Sequence, residues 1–207
     1  MSELKNHWNR IFVNKEDSQL GWYESDPTQT TKFTDLIPHK PKETTLFLPG
    51  AGTSTLVEIL NEKKYKKLIL NDISNEALTK LKSRLPDDGN IVWLDHDMSK
   101  PVEIELPPID IWIDRAVLHF LLEESDIEGY FNNLKKLLNR GGHVLLAEFS
   151  ILGAPKCAGL DLHRYSVKEM CERLGSEFKL IKQEDYTYKS PVVGERPYIY
   201  ALFKRVG

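Results

Sequence analysis

Short apolar runs alternate along the chain with segments whose apolar residues recur at helical spacing. The runs lie at 44–48, 67–70, 91–94, 109–113 and 143–149, and they are rich in Leu, Ile and Val. Runs of this length that end at Pro, Asn, Asp or Ser are typical of buried strands. Because helical segments follow the first, second and fourth runs, the pattern predicts an α/β fold whose parallel strands are joined by crossover helices.

The crossover helices are indicated by their start and stop signals. Thr55 and Glu58 have the spacing of a capping box, and Ser74 precedes a second segment with an apolar face. A longer amphipathic pattern covers 127–138, and Gly141 follows it as the expected helix end. We therefore expect one helix after each of the first, second and fourth strands.

The last part of the chain combines a loop, one helix and two further strands. The loop covers 150–164, and Ser166 with Glu169 fits another capping box. Apolar and aromatic residues then predict strands around 178–188 and 198–204, whose tyrosines pack between antiparallel neighbours. These two strands bring the predicted sheet to seven.

The beginning of the chain has a different character. It contains two Trp, one Tyr and two Phe, too much apolar surface to leave in water. Asp26 and Pro27 predict the N-cap and the first residue of a helix. We expect residues 1–40 to form an ordered, helical N-terminal cap and residues 41–207 to form the single domain that carries the sheet.

Composition and charge narrow the possible functions. Lys and Arg number 28 against 31 Asp and Glu, and this net charge of -3 does not suit a nucleic-acid binder, which needs a basic surface. The two cysteines, Cys157 and Cys171, have no metal-ligand or disulfide-framework spacing, so no bound metal is expected. No apolar stretch is long enough to span a membrane or form a signal peptide. We expect a cytoplasmic protein without nucleic-acid or membrane partners.

Glycines and acids follow the ends of the first four strands. In an open parallel sheet, ligands bind beyond these ends, where the strand order reverses. A Gly-x-Gly turn after the first strand lets the backbone approach a ligand closely. The residues are Gly50 and Gly52 after the first strand, Asp72 after the second, Asp95 and Asp97 after the third and Asp114 after the fourth.

The same positions indicate which nucleotide binds. A dinucleotide fingerprint would have a third glycine where this chain has Thr55, and the turn lacks the lysine of a phosphate-binding loop. Asp72 suits a ribose diol, and Asp95 and Asp97 are expected within reach of an adenine amino group. A glycine turn with a ribose acid and an adenine acid, but without a phosphate site, indicates S-adenosylmethionine.

The chain also resembles a known family over nearly its whole length. The stretches HWNRIF, GWYESDP, LFLPGAGTS, LILNDIS, LDHDM, DIWIDRAVLHFL and LNRGGHVLLAEFS resemble those of class I S-adenosylmethionine-dependent methyltransferases. Within that family the similarity is to small bacterial methyltransferase-domain and thiopurine/tellurite-methyltransferase-like proteins. The resemblance implies a Rossmann-like, mostly parallel seven-stranded sheet in the order 3-2-1-4-5-7-6, with the last strand antiparallel and helices on both faces.

The resemblance further implies which residues bind the cofactor. The glycine turn borders its methionine part, with Asp114 near the methionine end, and Asp72 holds the ribose. Ile73 lies against the adenine, and Asp97 and Met98 lie at the adenine edge. The implied set is Leu48, Gly50, Ala51, Gly52, Asp72, Ile73, Asp97, Met98 and Asp114.

Two positions depart from the family pattern. The family often has an acid two residues before the first glycine, and this chain has Leu48 there. The usual contact to the cofactor's amino group must therefore come from elsewhere. Pro49 makes the turn similar to the Pro-x-Cys-Gly turn of thiol and halide methyltransferases.

Residues on the acceptor side come from three segments. After the fourth strand, Arg115 and His119 are the candidate catalytic residues, with His119 either a base or a satisfied core side chain. The candidate substrate-binding residues are Trp22 and Tyr23, which either close over the site or pack in the core, together with Glu148 and Arg164, of which Arg164 binds an anionic acceptor or forms a surface ion pair.

The predicted function is methyl transfer from S-adenosylmethionine to a small-molecule nucleophile. Pro49 favours a thiol or another soft acceptor. Two alternatives stay open: a protein-lysine methyltransferase of the same fold, and a protein that binds S-adenosylmethionine without catalysis. We expect a monomer or a weak dimer.

Overall fold

A computed structural model describes residues 3–86 and 89–207. Seven strands form one sheet in the spatial order 3-2-1-4-5-7-6, counted along the chain, which confirms the predicted fold. The strands are β1 Thr45–Leu48, β2 Lys67–Asp72, β3 Ile91–Asp95, β4 Ile109–Arg115, β5 Leu138–Phe149, β6 Phe178–Ser190 and β7 Gly194–Arg205. A separate two-stranded hairpin joins Lys156–Cys157 to Leu160–Asp161.

The order of the strands places a crevice beside β1. Strand β1 pairs in parallel with β2 on one side and with β4 on the other. The strand order therefore reverses at β1, with β2 and β3 on one side of it and β4 and β5 on the other. Strand β7 is antiparallel to both β5 and β6. The carboxyl ends of β1 to β4 therefore meet at one edge, where open parallel sheets bind ligands.

Helices cover both faces of the sheet. They are α1 Glu3–Asn14, α2 Thr28–Thr34, α3 Leu56–Glu62, α4 Asn75–Arg84, α5 Glu124–Leu137 and α6 Val167–Leu174. Successive side chains of a strand point to opposite faces. Phe47 and Trp112 accordingly pack with residues of α5 and α6, whereas Leu46 and Leu48 pack with residues of α3 and α4. The two apolar layers anchor the strand ends that build the site.

Several helix boundaries differ from those predicted. Thr55 does not cap α3, because its backbone is already helical and its hydroxyl donates to the carbonyl oxygen of Glu24 at 2.7 Å. Helix α2 starts at Thr28, one residue later than expected, and the Asp26 side chain accepts from the Thr28 N–H. Helix α5 ends at Leu137 instead of at the glycines. The glycines lie within β5, which starts early because its first residue pairs with β4.

Two other caps follow the sequence signals. The Ser74 hydroxyl accepts a hydrogen bond from the Ala77 N–H at 3.2 Å, as an N-cap does. The Ser166 hydroxyl accepts from the Glu169 N–H at 3.2 Å, but the Glu169 carboxylate lies 2.7 Å from His163 Nε2. Of the predicted capping box at α6, the hydrogen bond to the Ser166 hydroxyl is thus present, whereas the Glu169 carboxylate bonds to His163.

No helix within residues 3–86 and 89–207 is long and apolar enough to cross a membrane.

Candidate active site

A cavity that is partly open to solvent lies at the carboxyl ends of the parallel strands. The glycine turn, the ends of β2 and β4, the segment after β3 and helix α1 supply its walls. A second cavity also borders the glycine turn and shares Trp22, Gly50, Gly52 and Arg115 with the first.

The turn after β1 needs its glycines. Gly50 and Gly52 have φ angles of +55° and +53°, which residues with a Cβ rarely adopt. A Cβ on Gly50 would also lie 2.1 Å from Cγ2 of Val117. The turn is held by hydrogen bonds to β2, one of which runs from the Gly52 N–H to the Asp72 carboxylate at 2.9 Å. This geometry keeps a bare stretch of backbone at the cavity wall.

Asp72 lies at the end of β2 and lines the first cavity. Its two carboxylate oxygens each accept one backbone hydrogen bond, from Gly52 at 2.9 Å and from Ser74 at 2.8 Å. Each oxygen can still accept a second hydrogen bond, which is the requirement for holding a diol. Burial raises the pKa of Asp72 to about 6, with the backbone N–H donors acting in the opposite direction.

The segment after β3 supplies the next wall of the first cavity, through Asp97 and Met98. Ile73, which follows β2, also lines this cavity. The Asp97 carboxylate accepts from the Ser99 N–H at 2.9 Å, which fixes the turn that carries it. Asp95, which we expected beside Asp97, lies outside the cavity, because it is the last strand residue and forms an exposed ion pair with Lys5.

Asp114 is fully buried behind the cavity wall and does not line it. Its carboxyl group accepts hydrogen bonds from the Tyr130 hydroxyl and from the Val117 N–H, and Trp112 donates to the same Tyr130 hydroxyl at 2.9 Å. Burial, together with the nearby charge of Glu148, raises the pKa of Asp114 well above its usual range. Asp114 thus shapes the turn after β4 from behind, whereas the sequence predicted a contact with the ligand.

His119 and Glu148 form a buried pair next to the first cavity. His119 Nδ1 lies 2.6 Å from a Glu148 oxygen that also accepts the His119 backbone N–H, and both side chains are fully buried. His119 lines the cavity, whereas Glu148 stands behind it. Among the described residues, His119 Nε2 has no hydrogen-bond partner. Burial lowers the pKa of His119 to about 3 and raises that of Glu148 to about 8.

The N-terminal segment closes over the site with aromatic rings. The Trp8 ring on α1 makes edge contacts with Trp22 at 5.5 Å and with Phe120 at 4.8 Å between centroids. All three rings line the first cavity, and Trp22 and Tyr23 line the second. Arg115 connects this segment to β4 by donating to the Trp22 carbonyl oxygen at 3.0 Å.

Of the remaining predicted residues, two line the second cavity and one lies outside both cavities. Leu48 and Ala51 line the second cavity, beside the glycine turn. Arg164 is exposed and lines neither cavity, because its guanidinium donates to the backbone carbonyl oxygens of Ile151 and Gly153.

Sequence reasoning missed Glu24, which lines the second cavity and lies 2.8 Å from Arg115 Nη2. Its stretch, GWYESDP, was singled out for its resemblance and its helix start, and it has no periodicity that would have marked the glutamate.

Comparison with known proteins identifies the domain that holds this site. Residues 49–144, which include the glycine turn and the ends of β2 to β4, match the family model of a methyltransferase domain. This part of the chain is therefore similar to a methyltransferase domain, which agrees with the predicted methyltransferase family and its cofactor, S-adenosylmethionine. No curated protein sequence matches the chain.

Solved structures share the fold of this chain at low sequence identity. An S-adenosylmethionine-dependent methyltransferase from Anabaena variabilis is 16% identical with a TM-score of 0.75, over 98% of this chain and 93% of that one. The N-methyltransferase NodS from Bradyrhizobium japonicum, solved with S-adenosylhomocysteine, is 15% identical with a TM-score of 0.72, over 100% of both chains. A methyltransferase from Mesorhizobium loti is 14% identical with a TM-score of 0.65, over 84% of this chain and 96% of that one.

The residues of the site fit S-adenosylmethionine. The bare backbone of the glycine turn leaves space that a Cβ would fill, Asp72 keeps acceptor capacity toward the cavity, and Asp97 offers a second carboxylate. These are the groups needed for a thioether or sulfonium chain, a ribose diol and an adenine amino group.

Proposed function

We propose that this methyltransferase acts on a small-molecule acceptor and that the acceptor is a soft nucleophile such as a thiol. The observation that carries the small-molecule part is the roof of the first cavity. Helix α1, Trp22 and Phe120 cover it with aromatic side chains. A folded protein substrate would have to pass its side chain beneath this roof, whereas a small molecule can be enclosed.

The His119–Glu148 pair supports a soft acceptor. With Glu148 ionised, the His119 Nδ1–H donates to it, and Nε2, which has no hydrogen-bond partner among the described residues, keeps a free lone pair on a ring that lines the cavity. When an acceptor gives its proton to Nε2, the Nδ1 proton can move to Glu148, whose pKa burial raises to about 8. Burial raises the Glu148 pKa toward that of a thiol, ~8.5, which favours this transfer from a thiol, whereas an alcohol holds its proton far more tightly.

The other contribution of the protein to catalysis is to position the cofactor and the acceptor. The bound cofactor supplies a methyl group on a positively charged sulfur atom. Asp72, Asp97 and the glycine turn hold and orient the cofactor, and the aromatic roof excludes water. Alignment of this kind contributes up to ~7–11 kcal/mol to catalysis. Once the acceptor atom is ionised and aligned, no further proton transfer is needed.

A direct assay tests the proposed acceptor class. The purified protein is incubated with S-adenosylmethionine that carries a radiolabelled methyl group, once with a panel of small thiols and once with whole-cell lysate protein. We expect label in a thiol product. Label confined to lysate protein would contradict the small-molecule proposal, and absence of label from both pools would contradict it as well.

The proton-transfer role predicts a pH profile. At pH 7 about 3% of a thiol with a pKa of ~8.5 is ionised, so loss of the base should slow methyl transfer, but by much less than ~30-fold because Glu148 is itself mostly protonated at that pH. We expect the wild-type rate to rise with pH and to level off above about 8, where Glu148 is ionised. In Glu148→Gln this rise should follow the acceptor's own ionisation instead, as measured by initial rates from pH 6 to pH 9.5.

A selenol provides the matched acceptor for this experiment, because it is already ionised at pH 7. Glu148→Gln should slow thiol methylation but leave selenol methylation within about twofold, since the selenol needs no base. Equal losses with both acceptors would mean that the buried glutamate only maintains the structure, and the proton-transfer role would be wrong.

A further inference from the structure

The two cavities beside the glycine turn differ in charge. The first contains the acids at the ends of β2 and β3, Asp72 and Asp97, which suit the ribose and the adenine. The second contains Glu24 from the N-terminal segment, and Arg115 from the end of β4 lines both cavities. Among the described residues that line either cavity, Arg115 is the one lysine or arginine. Any anionic group bound along the turn therefore has a single cationic partner there.

Glu24 and Arg115 form a buried ion pair. Arg115 Nη2 lies 2.8 Å from Glu24 Oε1, and the two side chains are 13% and 7% exposed. Two charges are costly to remove from water unless further polar groups satisfy them. Within the described part of the chain, Arg115 Nε and Nη2 are buried and make no well-aligned hydrogen bond. The pair thus retains donors that a ligand's carboxylate could use.

The surroundings hold the guanidinium in place. Its Nη1 donates to the Trp22 carbonyl oxygen at 3.0 Å, and its Cζ lies 5.2 Å from the ring centroid of Tyr198 and 5.6 Å from that of Tyr188. A planar guanidinium fixed on aromatic faces is suited to bidentate recognition of a carboxylate. The Arg115 guanidinium is therefore preorganised to bind an anionic group. The Glu24 carboxylate beside it can accept a hydrogen bond from a cationic group.

We propose that Glu24 and Arg115 bind the zwitterionic amino-acid end of the cofactor, Glu24 accepting from its α-ammonium group and Arg115 donating to its α-carboxylate. The ion pair has one charge of each sign, as does the ligand group, and it lies next to Gly50 and Gly52 in the second cavity. Leu48, on the same wall, offers an apolar side chain. The assignment rests on the cofactor of the domain and is independent of the acceptor proposed above.

Calorimetry with two ligands tests this assignment. S-Adenosylhomocysteine carries the amino-acid end, and methylthioadenosine has the same adenosine and sulfur without it. Glu24→Gln should weaken binding of S-adenosylhomocysteine about tenfold, the loss of one charged hydrogen bond. Binding of methylthioadenosine should change by less than twofold, which also shows that the variant is folded.

Two further variants separate binding from structure. The double variant Glu24→Gln/Arg115→Gln leaves no unpaired buried charge, and it should also lose the preference for S-adenosylhomocysteine. Glu184→Gln is the matched control, because Glu184 joins the N-terminal segment to β6 through Lys32 and Gln29 but lines neither cavity. It should leave both affinities unchanged.

Three results would overturn the proposal. Equal weakening of both ligands by Glu24→Gln would assign the pair a structural role. An unchanged affinity of that variant for S-adenosylhomocysteine would show that Glu24 does not contact the amino-acid end. Equal affinities of the wild-type protein for the two ligands would show that the amino-acid end is not recognised at all.

Discussion

Replacement of Asp72 by alanine is expected to weaken binding of S-adenosylhomocysteine by at least about 100-fold. The carboxylate lines the cavity with acceptor capacity left on both oxygens. A hydrogen bond to a charged group contributes ~1.5–3 kcal/mol, so two ribose hydroxyls lose ~3–6 kcal/mol together. Isothermal titration calorimetry measures the effect directly.

Asp95→Ala is the matched control for this substitution. Asp95 ends β3 next to Asp72 in the sheet register, but it is exposed, pairs with Lys5 and does not line the cavity. Its removal should change the affinity by less than threefold. If Asp95→Ala were as damaging as Asp72→Ala, or if neither had an effect, the assignment of the ribose acid would be wrong.

The same carboxylate predicts a pH dependence of binding. Hydroxyl groups donate to the ionised form, so the protein must have Asp72 deprotonated to bind tightly. Because burial raises the Asp72 pKa to about 6, affinity should be constant above that pH and fall up to tenfold per pH unit below it. Asp72→Asn, which cannot ionise, should lack this decline between pH 7.5 and pH 5.

Replacement of Gly50 by alanine should have the second large effect, a loss of ~2–5 kcal/mol in the free energy of unfolding. The left-handed backbone, with φ of +55°, contributes ~1–2 kcal/mol. The new Cβ, 2.1 Å from Val117 Cγ2, adds ~1–3 kcal/mol of overpacking. Urea denaturation measures the loss, and binding of S-adenosylhomocysteine should fall with it because the turn forms the cavity wall.

Gly141→Ala separates the two causes. Gly141 also has a left-handed φ, +81°, but nothing lies within 4 Å of the position a Cβ would take. It should therefore show the backbone effect alone. Adding Val117→Ala to Gly50→Ala removes the clash and should recover ~1 kcal/mol or more. Equal losses for Gly50→Ala and Gly141→Ala would contradict a close approach at the turn.

Local signals in the sequence predicted the sheet and the cofactor wall. Apolar runs that end at glycine or aspartate are properties of neighbouring residues, so β1 to β4 and the positions of Gly50, Gly52 and Asp72 could be read without tertiary information. The order of the strands came from the resemblance to a family. Helix ends were harder: Thr55 looks like a cap, but a backbone carbonyl brought from the N-terminal segment takes its hydroxyl.

Local sequence signals did not predict in which direction the side chains at the strand ends point. Asp95 and Asp97 are the same residue type two positions apart, so the sequence predicted the same contact with the adenine for both. The strand ends at Asp95, whose side chain turns to Lys5, whereas Asp97 lies in the next turn and lines the cavity. Asp114 was expected at the ligand and is instead bonded to Tyr130 behind the wall.

The sequence by itself therefore determined the α/β pattern, the glycine turn and the acid after β2, because each depends on residues close together in the chain. The tertiary structure alone decided which distant side chains share the site. It brought His119 to Glu148 through the pairing of β4 with β5, and it brought Arg115 to the N-terminal segment, 93 residues away at Trp22. Burial then gave these groups their shifted pKa values, and burial depends on the packing of the whole chain.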